Sequence, residues 1–149
     1  VSYNKMGDLY QALGQGEAAR EAFQTSLDIA ERLARAEPGR ADFQRDLSVS
    51  YERMGDLYQA LGQGEAAREA FQTSLDIRER LARAEPGRAD YQWDLVVSLW
   101  RAADNAEDGG AAPLSRALDI LRRLDAAGAL YPEQRQGIAL IEERLRELD

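Results

Sequence analysis

Cysteine and histidine are both missing from the 149 residues. Without cysteine there is no disulfide framework, no thiolate zinc site and no thiol nucleophile. Without histidine the commonest neutral-pH proton shuttle and the commonest metal ligand are gone together. No apolar run approaches the ~18 residues needed to cross a bilayer, and no signal peptide opens the chain. Basic side chains are in deficit, with 19 Lys and Arg against 27 Asp and Glu for a net charge of -8. Such a balance argues against a nucleic-acid binder, which usually presents a net basic face. What is present is apolar: 44% of the residues are hydrophobic, too many for a disordered chain and enough for a real core. A cytoplasmic location is expected. The first residue is Val1 rather than Met, so a fragment of a longer protein is expected.

The sequence repeats itself. Residues 1–48 and 49–96 align without a gap and differ at six positions: Asn4/Glu52, Lys5/Arg53, Ala30/Arg78, Phe43/Tyr91, Arg45/Trp93 and Ser48/Val96. A third copy starts at Val97, loses five residues around Gly109–Pro113, and recovers at Ala117-Leu118-Asp119-Ile120, which matches Ser74-Leu75-Asp76-Ile77. A fixed period of this size marks an array of supersecondary units.

Each unit reads as two helices. Leu47, Tyr51, Met54, Tyr58 and Leu61 recur at spacings of three and four, one apolar stripe. Gly62-Gln63-Gly64 ends that helix, because glycine takes the left-handed conformation a helix C-terminus needs. The next helix starts near Glu65 and carries Ala66, Ala67, Ala70, Phe71, Leu75, Ile77 and Leu81. That arc is too wide for a helix lying on a surface, so contacts on more than one side are expected. Pro86-Gly87 stops it, and Asp90 or a close neighbour is expected to cap the helix that follows.

The string MGDLYQALGQGEAAREAFQTSLDI resembles the tetratricopeptide repeat. Tyr3 and Tyr51 match the bulky residue of that family's first helix, Met6-Gly7 and Met54-Gly55 its apolar–glycine pair, and Tyr10 and Tyr58 its tyrosine. Gly14 and Gly62 match the turn glycine, Ala19 and Ala67 the small residue of the second helix, and Phe23 and Phe71 its aromatic. Ser26 and Ser74 stand where alanine is usual. The resemblance implies an all-α fold: a right-handed α-solenoid of antiparallel helix hairpins. Gly55 and Ala67 would let two helix backbones approach, while Tyr58 and Phe71 fill the space beside them. The family's unit is ~34 residues, so a 48-residue period leaves extra length that should extend each helix to near 20 residues.

The expected organisation is a single array: repeat 1 over 1–40 with a truncated first helix, repeat 2 over 41–88, a degenerate repeat 3 over 89–131, and a capping helix over 132–149. In the third copy Leu99, Ala102, Ala103 and Ala106 replace the first-helix signature, while Gly110, Leu114 and Ala117 keep the turn glycine, an apolar residue for the aromatic, and the small residue. Pro113 should open a shortened helix. Pro132 suits a first helical position, and Ile138, Ile141 and Leu145 give the last helix one apolar side. Repeat arrays need such a one-sided cap, so the C-terminus reads as a true end. The edge carrying Val1, Tyr3 and Met6 has no preceding helix to cover it and is expected to self-associate.

Catalysis finds no support. Asp56, Glu65, Glu69, Asp76 and Glu79 each recur 48 residues earlier, which suits solvated helix faces rather than a unique constellation. Ser26, Ser50, Ser74 and Ser98 have no histidine to activate them. No phosphate loop or carboxylate metal site has the right spacing. No enzyme, cofactor or metal is expected.

Binding is the better reading. The resemblance places ligands on a concave wall made by the first helix of each unit. Arg45, Glu52, Asp56 and Gln59 share one face there, at spacings of seven, four and three, beside the packing stripe and expected to stay open. Asn4, Asp8 and Gln11 are the equivalents in the first unit. Trp93, Trp100, Asp104 and Glu107 are those in the third. Lys5, Arg53 and Arg101 form a basic row alongside. Core positions are expected not to vary between the two full copies. Trp93 and Trp100 lie ~10.5 Å apart along the helix, with two roles open: anchors for a partner, or packing partners of the terminal helix. Some family members clamp an acidic chaperone tail with lysines and asparagines. Asp8, Asp56 and Asp104 stand where that clamp needs a neutral amide, so a basic, polar or aromatic-containing segment is favoured instead. The expected function is a protein–protein interaction scaffold, with no nucleic acid or membrane as partner. The alternatives are self-assembly through open repeat ends, or a sensor or autoinhibitory segment of a bacterial multidomain signalling ATPase or effector.

Overall fold

The computed structural model describes residues 2–149. Val1, assigned from sequence to the edge of the first helix, lies outside the described residues. Among those residues are seven helices and no strand: α1 (Tyr3–Ala12), α2 (Gly16–Ala36), α3 (Ala41–Ala60), α4 (Gly64–Ala84), α5 (Ala89–Asp104), α6 (Ala111–Ala126) and α7 (Pro132–Glu147). α2, α3 and α4 run 21, 20 and 21 residues, and α5, α6 and α7 16 each. The chain divides into two compact units, Val1–Ile77 and Arg78–Asp149. Helices pack on their neighbours in chain order, α1 on α2 and α2 on α3 in the first unit, α5 on α6 and α6 on α7 in the second.

Helix ends follow the local chemistry. α3 stops at Ala60, the Leu61 N–H bonds to the Leu57 carbonyl at 3.0 Å, and Gly62 turns the chain at φ +74°, a conformation that favours glycine. Glu17 and Glu65 sit in the first turns of α2 and α4, and Arg35 and Arg83 in the last, each beside the helix-dipole end of opposite sign.

At the start of α5 a close neighbour of Asp90, Arg88, occupies the cap position without a side-chain cap bond, and inside the first turn the Tyr91 N–H donates to Asp90 Oδ1 at 3.0 Å. Asp90 thus serves the helix start from within. Its carboxylate accepts from Arg88 Nε at 3.0 Å and Nη2 at 2.8 Å, and the same guanidinium lies 4.1 Å over the Tyr91 ring. Arg40, Asp42 and Phe43 repeat this, at 3.0, 2.7 and 4.1 Å. A planar fork that binds a carboxylate in two places and stacks on an aromatic face is a task for arginine rather than lysine. The bond from Arg40 holds the Asp42 carboxyl below its usual pKa, and that to Asp90 raises the Arg88 guanidinium above its own.

In the first unit Ala19, Phe23, Leu27, Met54, Leu57 and Ala70 form a buried cluster with Tyr10, Leu47, Tyr51 and Tyr58 packed against it. A methyl group at Gly55 would meet the Phe71 ring at 2.6 Å. Gly55 therefore makes room for the ring rather than for a backbone, and Gly7 does the same for Phe23. The serines at the alanine places are satisfied: Ser74 donates to the Ser48 carbonyl at 2.8 Å, and the Ser26 and Ser50 hydroxyls lie 3.2 Å apart. Tyr51 donates to Glu31 Oε1 at 2.6 Å, and burial together with this bond pushes its pKa up to about 12.

The core does vary between copies, contrary to expectation. Ala30 and Arg78 are both buried, as are Ser48 and Val96. A stripe drawn for one packing surface is too narrow for helices that meet neighbours on several sides, and those extra buried positions carry the differences. Arg78 donates Nη1 to Ser98 Oγ at 2.9 Å and to the Asp94 carbonyl at 3.3 Å, as a buried cation must.

In the second unit Leu114, Ala117, Leu121, Leu99 and Ala103 are buried. Pro113 is the third residue of α6, still within the first turn, where a missing N–H costs no helical bond. α7 buries only Ile141 fully and leaves Leu140 55% exposed.

Candidate functional site

Three helices carry the residues singled out from sequence, α1 and α3 in the first unit and α5 in the second. On α1, Asn4 is half-buried, with its amide oxygen enclosed and unbonded, Lys5 and Asp8 are exposed, and Gln11 is half-buried. On α3, Arg45, Arg53 and Asp56 are half-buried and Gln59 is exposed. Glu52 departs from expectation: at 9% exposure it is buried and takes no part in an open wall. It shares a side of α3 with Ser48, four residues earlier and also buried. The described contacts of α3 run to α1, α2 and the middle of α4, which close more of its surface than a single stripe. The structure brings Arg53 to Asp8, with Nε 3.2 Å from Oδ1, although that N–H is not aimed along the contact. Arg45, Glu52, Asp56 and Gln59 all have partners.

In the second unit Trp93 and Trp100 come together. With Val96, Val97, Leu121, Gly137, Leu140 and Ile141 they line a cavity of about 210 Å³ where α5, α6 and α7 meet. Both indoles are half-buried, and every lining residue is apolar or glycine. Arg144 of α7 lies 5.0 Å over the Trp100 ring, and its Nη2 reaches Asp104 Oδ1 at 3.2 Å. That cation–π contact and ion pair fix the rim. Arg101 is half-buried and partnered. Asp8 is therefore paired with Arg53 within the first unit, and Asp104 with Arg144 within the second.

The sequence leaves open that the terminal helix packs on the tryptophans and puts Ile141 on the apolar side of that helix, and both meet in this cavity. Leu140 and Arg144 were missed: Leu140 lies three residues from Gly137 and Arg144 three from Ile141, but the pairing of Arg144 with Asp104 joins positions 40 apart.

The sequence profile of the tetratricopeptide repeat matches residues 1–34 and 47–82. The two matched segments lie on α1–α2 and α3–α4, the hairpins in which Gly7 faces Phe23 and Gly55 faces Phe71. The chain belongs to the tetratricopeptide repeat family. No curated protein matches it. Tetratricopeptide repeats are a non-enzymatic scaffold fold that generally mediates protein–protein interaction. Among the described residues no cluster of carboxylates could hold a metal ion, and no helix is long and apolar enough to cross a membrane. In this tetratricopeptide repeat protein the apolar cavity lies at the two tryptophans that the sequence singles out.

Proposed function

We propose that the chain is an interaction scaffold whose first-helix face binds a partner peptide, with the Trp93–Trp100 cavity taking one aromatic or branched aliphatic side chain. The carrying observation is that this cavity has no polar side chain in its lining yet opens beside the exposed Leu140. Cavities on the order of 150 Å³ already admit a benzene ring when lined this way, and binding energy concentrates in such aromatic-walled pockets. Arg101 and Asp104 are then rim contacts of the cavity, and Asn4, Lys5, Asp8, Gln11, Arg45, Arg53, Asp56 and Gln59 form a separate polar face of the first unit. Glu52 is left out because it is buried. Pairing of Asp8 and Asp104 with arginines weakens the case for a basic partner and leaves the aromatic-containing segment favoured.

The two tryptophans of the chain both line this cavity, so intrinsic fluorescence reads it directly. Peptides carrying a central Phe or Leu should shift the emission saturably, and Leu140→Asp should abolish the shift with helicity unchanged. Peptides selected for binding that leave both indoles unperturbed would refute the reading.

Self-association is the second reading, favoured by exposed apolar residues on and just after α1: Tyr3 at 44%, Leu9 at 58% and Leu13 at 61%. Light scattering should then show a mass that rises with concentration and falls back for Tyr3→Glu.

A further inference from the structure

α5 has a second lined face. Gln92 and Leu95, three apart and turned away from Trp93, Val97 and Trp100, form part of a cleft of about 780 Å³ with α4 and α6. Four guanidinium groups line it, those of Arg83, Arg116, Arg122 and Arg123, against the carboxylates of Glu79 and Asp119. The cleft runs into an adjoining hollow of about 330 Å³, which shares Pro86, Gln92, Ile120 and Arg123 and adds Leu124, Ala127 and Ala129. One continuous surface is therefore basic at one end and apolar at the other, with Arg123 at the junction.

The charge of this surface is particular to the third copy. The α6 positions Arg116, Asp119, Arg122 and Arg123 correspond to Thr73, Asp76, Glu79 and Arg80 in the second copy, and to Thr25, Asp28, Glu31 and Arg32 in the first. Both full copies carry one net negative charge there, and the third carries two net positive charges. The change runs against the -8 of the whole chain.

Some of that charge is internally engaged. Arg116 pairs with Glu79, Arg83 Nη2 lies 3.8 Å from the same carboxylate, and Arg122 Nη2 lies 3.3 Å from Glu142 Oε2. The arginine of each pair is exposed, at 51–79% of its side-chain surface, whereas Glu79 keeps 23%, and ion pairs open to solvent on one side are weak. The exposed Arg123 guanidinium makes no ion pair among the described residues.

We propose that this cleft is a second binding site, for an acidic peptide segment that carries an apolar side chain. Carboxylates match the planar guanidinium forks, and the apolar side chain fits beside Ile120 and Leu124. The site is separate from the tryptophan cavity and stands whether or not that cavity binds a partner.

The probe is a fluorescein-labelled, acetylated Glu-Asp-Leu-Glu-Asp-Leu peptide, followed by anisotropy with the full chain. Binding should saturate, weaken with added salt, and leave tryptophan emission unchanged. Arg123→Glu should weaken it about tenfold, and Glu79→Gln, which releases Arg83 and Arg116, should tighten it severalfold. Circular dichroism of both variants checks that the helices persist. The proposal is overturned by no binding at millimolar protein, by equal affinity in both variants, or by equal binding of the peptide with Lys at every acidic position. Equal competition by a single-stranded oligonucleotide would also overturn it, since the site would then recognise phosphate.

Discussion

The α3–α4 hairpin and the α5–α6 hairpin solve the same packing problem with different residues. In the first, glycine at position 55 leaves a hollow that the Phe71 ring fills. In the second, the matching positions are Ala103 and Leu114, both buried. A methyl group has been added on one helix and the ring exchanged for a smaller side chain on the other. Cores tolerate such exchanges when the summed volume is kept. What the two hairpins share is the filled space, and the tetratricopeptide signature is one way of filling it. Gly110 shows where the third copy has no such latitude, because a methyl group there would run into Ala103.

The largest test of this comparison is Phe71→Ala, which removes the ring and leaves Gly55 facing a void. A loss of about 3–5 kcal/mol is expected in urea denaturation. Next comes a double-mutant cycle. Gly55→Ala alone should cost about 1–3 kcal/mol through overpacking against the ring. Combined with Phe71→Leu, which rebuilds the third copy's pair, it should cost less than the sum of the two single changes. Simple additivity would show that the positions do not compensate each other.

A smaller effect separates the hairpins by pH. Tyr51 has no phenolic counterpart in the third copy, where Leu99 stands in its place. Its raised pKa means that the fold holds the protonated form. The contribution is whole below the ordinary tyrosine value of about 10 and disappears as pH rises through about 12. Alkaline titration should show one late phenol, absent in Tyr51→Phe, with stability falling over that window in the parent only.

Much of the fold was legible in the residues. Gly62, Pro86-Gly87 and Pro132 mark helix boundaries because their backbone chemistry acts within a few positions. The all-α class and the family follow from a string repeated almost unchanged. Burial was less legible. Glu52, Arg78 and Val96 are enclosed because a helix with several neighbours hides more than one stripe, and a periodicity in one sequence does not count neighbours. Of the candidate site, the tryptophan pair was visible and the terminal helix against it was one of two open roles, while Leu140 and Arg144 were not singled out. The arginine cleft emerges only when the third copy is set against the other two and α4, α5 and α6 are seen to converge.

The clamps at Arg40–Asp42–Phe43 and Arg88–Asp90–Tyr91 bear on how such chains grow. The helix that opens each new hairpin is started by side chains within four positions of one another, so a copied stretch of gene brings its own helix start with it. Lengthening the array then requires no simultaneous change in an older unit, which makes tandem duplication a one-step event for this architecture.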